Sequence, residues 1–553
     1  MGHKKTGGRE SLFWADQIAK SVKERVEADP VLQGVVRKNG YIVYDEKTPS
    51  GKIHVGSGRG WIIHDMIAKA MRELGLKARF ILSSDDMDPY DKPNRDLPKS
   101  FDKYLGMPFR DIPSPAKGFG SFADYYFRQC TDRFDEFGIE AELESTGDRY
   151  IRGDFNKAIK IILDNQHMVQ DIYKSFYGKP LGRLPFNPIC QKCGRIGTTY
   201  AYEWDGAREV IKYRCEPGMV SWAKGCGHEG EVSPYDGGGK LPWKVEWPAK
   251  WLSVGVVCEL AGKDHFTKGG SRSIGIAISR EVLGFPPPFP STGKSTGKGY
   301  EFFTVGGKKM STSKGMGIGF AEMTGYLPAK MVRYLLARTR PHARVDFDPL
   351  DDNDMILLYD RFDRTQRIYH GKERVGERER DQERRIYEFS SVGEIERSMP
   401  PQIPLTYAAT IEQISPDIVA AIRILQGTGH LPARLSKSDK AHLRDRLGFA
   451  RRWVESLASE RYRFRLQDKA SVEVKGDVRQ VILALSARLR ESDYDEKGLL
   501  NLFHGLCKER GVGTKVFFRT MYRILIGKDY GPRLAPFILS IGREKVARLL
   551  AGV

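Results

Sequence analysis

Several features that define other classes of protein are missing from this chain of 553 residues. No run approaches the roughly 18 consecutive apolar residues that a membrane-spanning helix needs. Residues 1–10 are polar and glycine-rich, without the apolar core of a secretory signal. We find no internal repeat, and an odd number of cysteines, seven, argues against a disulfide framework. These absences predict a cytoplasmic protein.

Positive charge is the feature in excess. Lys and Arg number 90 against 71 Asp and Glu, which gives a formal net charge of +19. Such an excess favours a polyanionic partner, most often nucleic acid, over a merely basic surface. Hydrophobic residues make up 40% of the chain, enough for folded cores, and the length indicates two or three domains.

An α/β pattern opens the chain. Residues 40–44 are typical of a strand, apolar residues recur at helical spacing over 61–71, and 78–82 predict a second strand. This order, with a loop rich in small residues after the first strand, is a βαβ unit. Its loop lies where open α/β sheets bind ligands. Residues 251–260 predict another strand, and charged amphipathic segments after about residue 346 predict an all-helical region.

The loop after the first predicted strand has the chemistry of a nucleotide site. It reads T-P-S-G-K-I-H-V-G from Thr48 to Gly56. Small residues such as Gly51 let a nucleotide approach the backbone, and the following helix offers free N–H groups to phosphate. His54 could donate a hydrogen bond to a phosphoryl oxygen in the transition state. The string resembles the HIGH motif of class I aminoacyl-tRNA synthetases. The fourth position of that motif is often His or Asn, but here it is Ser57.

A second segment, K-K-M-S-T-S-K-G from Lys308 to Gly315, combines ammonium and hydroxyl groups. Such groups would neutralise and hydrogen-bond a leaving pyrophosphate, whereas a lone lysine pair would indicate only a basic loop. The string resembles the KMSKS motif of the same superfamily. Thr312 replaces its usual fourth-position lysine, so we expect Lys309 and Lys314 to take that role.

A tryptophan-rich stretch precedes a further nucleotide-binding pattern. Residues 241–251 read L-P-W-K-V-E-W-P-A-K-W, and we expect Trp247 and Trp251 to pack in the core. The string G-K-D-H begins at Gly262. Its glycine permits close approach of an adenosine ribose, and Asp264 would accept hydrogen bonds from the ribose hydroxyls.

Together with S-D-D-M-D from Ser84, these strings resemble the class I lysyl-tRNA synthetases, the archaeal type of that enzyme. The resemblance spans at least residues 40–345. It implies an α/β fold with a Rossmann-type catalytic domain over 1–345 and an all-helical anticodon-binding domain over 346–553. The implied activity is that of a lysine–tRNA ligase, which uses ATP with Mg²⁺, L-lysine and tRNA(Lys).

The resemblance also assigns roles to individual residues. The implied catalytic residues are His54, Lys309 and Lys314. The implied ATP-binding residues are Gly51, His54, Gly56, Gly262, Asp264, Lys309, Ser311, Ser313 and Lys314. The implied lysine-binding residues are Thr48, Asp85, Trp243, His265 and Tyr300. The substrate ammonium needs a carboxylate partner, for which the candidates are Asp45, Glu46, Asp85 and Asp86.

Four cysteines lie in an insert over residues 184–239. Cys190 and Cys193 form a C-x-x-C pair, and Cys215 and Cys226 follow. Such spacing is typical of a structural zinc site, so we predict a zinc-ribbon-like insert on the acceptor-stem side. Four thiolates are preferred as ligands, and His228 is the alternative for the fourth.

Two other functions stay open at this point. The chain could be another class I synthetase, the glutamyl type being nearest, or a non-catalytic paralogue that binds RNA. The departures at Ser57 and Thr312 keep the second alternative open. In the C-terminal region, Phe517, Phe518 and Tyr522 could stack on unpaired bases, although each is expected to belong to the helix core.

Overall fold

The computed structural model describes residues 11–267, 269–291, 299–309 and 318–553. The chain divides into two compact units. The first contains residues up to 347 together with 375–395, and the second contains 348–374 and 396–553. No helix in these described ranges is both long and apolar enough to cross a membrane.

A parallel sheet is the centre of the first unit. The strands, numbered along the chain, are β1 (Tyr41–Lys47), β2 (Ala78–Ser84), β3 (Glu142–Ser145), β4 (Asn187–Pro188), β5 (Thr199–Asp205), β6 (Val210–Cys215), β7 (Glu229–Val232), β8 (Gly239–Lys240), β9 (Val256–Cys258), β10 (Phe303–Val305), β11 (Lys308–Lys309) and β12 (Val345–Asp346). Four of them form this sheet in the order β3-β2-β1-β9, with every neighbouring pair parallel. Parallel neighbours need a crossover between them, which is what the predicted βαβ unit supplies.

Helices cover this sheet and make up most of the second unit. In the first unit they are α1 (Trp14–Glu27), α2 (Pro30–Asn39), α3 (Val55–Glu73), α4 (Phe122–Thr131), α5 (Thr146–Ile151), α6 (Asn156–Asp164), α7 (Gln166–Tyr177), α8 (Trp243–Lys250), α9 (Ser271–Ala277), α10 (Met323–Tyr326) and α11 (Ala329–Ala337). Next come α12 (Asp352–Tyr369) of the second unit and α13 (Glu377–Ser390) of the first. The remaining helices of the second unit are α14 (Leu405–Ile414), α15 (Ile418–Gly427), α16 (Lys437–Arg452), α17 (Gly476–Glu491), α18 (Glu496–Glu509), α19 (Thr514–Ile526), α20 (Leu534–Ile541) and α21 (Arg543–Ala551).

The crossover helix α3 joins β1 to β2 and is buried over most of its length. Trp61, Ile62 and Met66 are almost completely buried. A helix that is apolar on most sides must be covered on most sides, so α3 is held firmly against the sheet. Its N-terminus therefore has a fixed position beside the carboxyl end of β1.

The strand predicted over residues 251–260 is wrong in its first half. Residues 251–255 form a π-helical turn that continues α8, and only Val256–Cys258 is a strand. A buried apolar run fits a buried helix as well as a buried strand, so periodicity could not separate the two.

The insert forms two small sheets. One pairs β4 with β8, and the other has the antiparallel order β5-β6-β7. Cys190, Tyr213 and Cys215 form its small buried cluster, against which Cys193 and Cys226 pack.

The second unit has its own core, built by α17 to α21. Leu485, Phe503 and Ile538 are among its fully buried residues. Phe517 is also fully buried there, and Phe518 and Tyr522 pack against the same core, as expected for residues of helix cores. The predicted combination of a parallel-sheet α/β region and a helical C-terminal region is confirmed.

Candidate active site

A cavity of about 620 Å³ lies at the carboxyl ends of β1 and β2. Nine residues singled out in the sequence line it: Asp45, Glu46, Thr48, Ser57, Asp85, Trp243, Gly262, His265 and Tyr300. Five others are not among its lining residues: Gly51, His54, Gly56, Asp86 and Asp264. The backbone of Lys309 belongs to β11, and Ser311, Thr312, Ser313 and Lys314 lie outside the described residues.

The first signature lies between β1 and α3. His54 directly precedes α3 in an extended conformation, with φ −82° and ψ 160°. The first N–H groups of α3 therefore lie next to His54, and a helix N-terminus is a favourable place for phosphate. Two further residues of the cavity lining, Gly262 and Tyr300, form a parallel bridge, and Lys263 N–H donates to the Tyr300 carbonyl at 3.0 Å. Asp264 follows as an exposed residue of a 3₁₀ turn.

The segment that follows the second signature pairs with the first signature. Val55 N–H donates to the Ile318 carbonyl at 2.9 Å, and Phe320 N–H donates to the Ile53 carbonyl at 2.9 Å. A Cβ added to Gly58 would lie 1.9 Å from the Phe320 ring, so this close approach requires glycine there. Two distant parts of the chain are thus joined beside His54.

Seven carboxylates line the cavity. They belong to Asp45, Glu46, Asp85, Asp88, Asp91, Glu246 and Glu259. A wall of this composition attracts cations and repels anions.

Two buried lysines neutralise much of this charge. The ammonium of Lys250 contacts Glu46 at 2.7 Å and Glu246 at 3.2 Å, and it is also hydrogen-bonded to Asp85. Lys240 contacts Glu246 at 3.0 Å. Burial lowers the pKa of Lys250, but the surrounding carboxylates outweigh it and raise that pKa well above its ordinary value. The lysine side chain is therefore charged and held between the acids.

The Asp88 and Asp86 carboxylates have partners of their own. Asp88 accepts from Thr48 Oγ1 at 2.7 Å and is also hydrogen-bonded to Lys240. Asp86 accepts from Ser145 Oγ at 2.6 Å and from Gly147 N–H at 2.8 Å. Asp86 thus fixes the start of α5 and does not line the cavity.

Asp45 differs from these acids. Its Oδ1 accepts from Glu46 N–H at 2.9 Å, and its Oδ2 lies 3.2 Å from His64 Nδ1. Leu260 N–H donates to His64 Nε2 at 2.9 Å, so the imidazole is neutral in this geometry. Burial lowers the pKa of His64, but Asp45 and the Gly60 carbonyl outweigh it and raise that pKa above its ordinary value.

The Asp45 carboxylate and the Tyr300 hydroxyl both lie close to Gly60 of α3. A Cβ added to Gly60 would lie 2.8 Å from both Asp45 Oδ2 and Tyr300 Oη. In the described residues, His64 is the basic side chain found within ion-pair distance of Asp45, and because its ring is neutral the contact is a hydrogen-bonding contact rather than an ion pair. The cavity therefore has a carboxylate beside a phenol hydroxyl, and this carboxylate is held by a neutral imidazole.

The two core tryptophans have a polar function as well. The indole N–H groups of Trp247 and Trp251 donate to the buried carboxylate of Glu259 at 2.8 and 2.5 Å, and Arg272 contacts it at 3.0 Å. His265 lies edge-on to Trp247, with ring centroids 5.3 Å apart, and its Nδ1 is 2.7 Å from Ser271 Oγ. Burial lowers the pKa of His265, which keeps the ring neutral near pH 7.

The four cysteines of the insert come together. Their Sγ atoms all lie within 4.8 Å of one another, as in a group that could hold a metal ion. Cys190 and Cys226 are 3.6 Å apart, and Cys193 and Cys215 are 3.7 Å apart. Within the described residues, His228 is not part of this group.

Similarity to known proteins agrees with this arrangement. The model of the family described as tRNA synthetases class I (K) matches residues 12–393. The chain belongs to this family. The lysine–tRNA ligase of Methanocaldococcus jannaschii is 32% identical over 97% of this chain and 99% of its own length. That of Pyrococcus horikoshii is 33% identical over 98% and 99%, respectively.

A solved glutamate-tRNA synthetase from Elizabethkingia anophelis is also similar, at 10% identity and a TM-score of 0.42, over 92% of this chain and 99% of that one. Family membership itself rests on the sequence matches. The predicted membership of the class I lysyl-tRNA synthetases is thus confirmed.

Sequence reasoning missed several polar residues in and around this cavity. Lys240, Glu246, Lys250 and Glu259 have ionisable side chains that are almost completely buried. Glu246 and Lys250 lie inside the tryptophan-rich string, at a spacing of four residues, which places them on one face of α8. That spacing was the available signal, because charged residues facing a core must be paired.

Proposed function

We propose that the chain activates L-lysine with ATP and transfers it to tRNA(Lys). Relatives named lysine–tRNA ligase match it over nearly their whole length. The observation that carries the proposal is the acidic cavity beside the paired signature segments. Seven carboxylates in its wall favour a cationic amino acid.

The reaction proceeds in two steps. A carboxylate oxygen of lysine attacks the α-phosphorus of ATP, the bond to the bridging β-phosphate oxygen breaks, and pyrophosphate leaves. A ribose hydroxyl at the tRNA 3′ end then attacks the carbonyl carbon of lysyl-adenylate, loses its proton and expels AMP. Both steps need orientation and charge stabilisation rather than a protein nucleophile.

ATP is proposed to lie over the first turn of α3. His54 and the N–H groups of that turn would contact its phosphates, and Gly51 and Gly56 leave room for it. Across the cavity, Gly262 and Asp264 would receive the ribose. Mg²⁺, when bound with ATP, would neutralise part of the charge that develops on pyrophosphate.

The lysine-rich signature is proposed to close on the triphosphate. The contributing residues are Lys309, Ser311, Ser313 and Lys314. One end of this segment follows β11, and the other, at Ile318, pairs beside His54. In this proposal, the cationic and hydroxyl groups of the segment would stabilise the leaving pyrophosphate.

Asp45 is proposed as the partner of the substrate ε-ammonium. Of the four candidate carboxylates, Glu46 and Asp85 already share the Lys250 ammonium, and Asp86 does not line the cavity. Asp45 faces a neutral imidazole instead. Tyr300 would add its hydroxyl, while the rings of Trp243 and His265 would cover the aliphatic part of lysine, with Thr48 and Asp85 completing the wall.

The cysteine insert is proposed to be a zinc ribbon. Four thiolates at about 2.3 Å from a tetrahedral Zn²⁺ would be about 3.8 Å apart. The measured pairs at 3.6 and 3.7 Å fit that geometry. Four protein ligands leave no open position, so the ion would hold the insert together on the acceptor-stem side and would not take part in catalysis.

The helical region over residues 346–553 is proposed to bind the anticodon, and residues 1–345 to be the catalytic domain. The second unit contains a cavity of about 700 Å³. Aromatic and cationic residues line it, among them Tyr407, His430, Arg461, Tyr462, Tyr530 and Arg533. Such a lining suits an unstacked nucleobase, which stacks on aromatic or guanidinium planes.

Charging of tRNA tests the proposal against its two alternatives. Purified chain, ATP, Mg²⁺ and unfractionated tRNA are incubated with labelled lysine or labelled glutamate. Attachment of lysine supports the proposal, whereas attachment of glutamate points to a glutamyl-type enzyme. RNA binding without attachment of either amino acid would favour the non-catalytic paralogue.

A further inference from the structure

Three exposed aromatic rings, two exposed lysines and one half-buried lysine lie beside the cavity mouth, at and just after the end of α7 and at the start of α8. We call this surface the aromatic rim. It consists of Lys174, Phe176, Tyr177, Lys179, Trp243 and Lys244. Its rings are unusually open to solvent, with 37% of Phe176, 40% of Tyr177 and 47% of Trp243 exposed.

Contacts within the rim join its two helices. The ammonium of Lys244 lies 4.8 Å from the centre of the Tyr177 ring and 5.4 Å from that of Trp243. It also donates a hydrogen bond to Tyr177 Oη at 2.8 Å. One cation therefore holds the two rings, which leaves their outer surfaces available to a partner.

The rim has a charge opposite to that of the cavity it borders. Trp243 belongs to both, since it also lines the cavity. The cavity wall contains seven carboxylates, whereas the rim adds three lysines. The lysines of the rim attract a polyanion that approaches this part of the molecule, and the carboxylate-rich wall of the cavity offers its phosphates no comparable attraction.

We infer that the aromatic rim binds the unpaired 3′ end of the tRNA, a conclusion that rests on the proposed transfer reaction. Bases stack on the rings of Phe176 and Tyr177, and the lysines contact the phosphates between them. The terminal ribose then passes Trp243 into the cavity mouth, where its hydroxyl meets the adenylate. The phosphates of the tRNA 3′ end stay on the lysines of the rim, and the terminal ribose alone enters the cavity.

Substitutions in the rim should separate the two steps of the reaction. Tyr177→Ala and Lys244→Ala should each lower kcat/KM for tRNA in charging by about fivefold to a hundredfold, the usual effect of losing one stacked base. Lysine-dependent ATP–pyrophosphate exchange should not change in Tyr177→Ala, since Tyr177 does not line the cavity. Tyr177→Phe should keep most of the charging activity because its ring can still stack.

The matched control is Lys103→Ala. Lys103 also lies over a tyrosine ring, that of Tyr104, at 4.9 Å, but belongs to neither cavity nor rim. Charging should be unchanged in this variant. A fall in charging equal to that of Lys244→Ala would mean that loss of any such pair disturbs the fold, and would overturn the inference.

Binding of RNA tests the rim without using activity. Wild-type chain should bind intact tRNA more tightly than tRNA lacking its last three nucleotides, and the Tyr177→Ala chain should bind the two alike. Equal binding of both RNAs by wild type would overturn the inference, as would a fall in pyrophosphate exchange that matches the fall in charging. Absence of exchange in wild type would instead contradict the proposed function, while the binding comparison would still decide the inference.

Discussion

The ion pairs of individual residues determine which carboxylates of the cavity are available to a substrate ammonium. Lys250 already contacts Glu46 and Glu246, with Asp85 as a third partner, so a second ammonium there would compete with one from the protein itself. Removing one member of a buried ion pair is costly, which keeps these groups together. Among the four candidate counter-ions, Asp45 is the one that lines the cavity without a lysine or arginine ion-pair partner in the described residues, since its basic neighbour is the neutral His64.

Asp45→Asn should reduce recognition of the lysine side chain. A hydrogen bond to a charged group contributes about 1.5–3 kcal/mol, so KM for lysine should rise about tenfold to a hundredfold while KM for ATP stays the same. Pyrophosphate exchange with lysine and with norleucine, which lacks the ammonium, provides the measurement. The preference for lysine should nearly disappear in the variant.

Asp91→Asn is the control for this substitution. Asp91 also lines the cavity but is exposed to solvent, so its loss should change neither KM. If Asp45→Asn weakened lysine and norleucine equally, Asp45 would bind the α-amino group, and its assignment to the ε-ammonium would be incorrect.

Much of the cavity wall could be predicted from local strings. Thr48 and Asp85 directly follow β1 and β2, whose carboxyl ends form the cavity, and Trp243 is the first residue of α8, so all three line the cavity. The contact of Lys250 with Glu46 joins positions 204 residues apart. A single sequence does not show which distant residues form ion pairs, so four candidate counter-ions stayed open. The structure distinguishes these carboxylates by their ion pairs and by whether they line the cavity.

At the scale of elements, the βαβ unit was predictable because its strands and helix follow different periodicities. The π-helical turn over residues 251–255 was not, since an apolar run fits either state. The cysteine insert could be predicted in part. Its ligand spacing indicated a metal site, but the choice between four cysteines and a set with His228 in place of Cys215 or Cys226 required the folded positions of these residues. The cluster contains both cysteines.

Cys226→Ser and His228→Ala should affect bound zinc differently. The wild-type chain should contain one zinc per molecule by elemental analysis, because four thiolates close the site. Cys226→Ser should lose most of it and unfold at a lower temperature, and His228→Ala should retain it. Retention of zinc by the cysteine variant together with its loss from the histidine variant would show that the imidazole is a ligand.

At the scale of the whole molecule, the net charge of +19 suggested nucleic acid before any motif was identified. Charge alone does not say which surface an RNA contacts. The second unit adds a cavity with aromatic and cationic walls, and its residues are spread over positions 404–537, too far apart in sequence to be grouped beforehand. Folding of the helical region is what assembles this candidate site.

Arg533→Ala should raise KM for tRNA in charging by about tenfold without changing lysine-dependent exchange, since loss of one base contact costs about 1–3 kcal/mol. Arg533 lines the cavity of the second unit and pairs with Glu496. Arg543→Ala removes a similar ion pair, that with Asp493, outside the cavity and should leave charging intact. Equal effects of both substitutions would contradict a base-binding role for this cavity.

ATP–pyrophosphate exchange with each of the twenty amino acids tests whether the chain activates lysine at the acidic cavity. Wild-type chain should exchange label with lysine, and His54→Ala should lose at least 100-fold of that rate, about the effect of removing one donor to a transition-state oxygen. Exchange that depends on a different amino acid would contradict activation of lysine by this chain. So would the absence of exchange with every amino acid, both with and without tRNA.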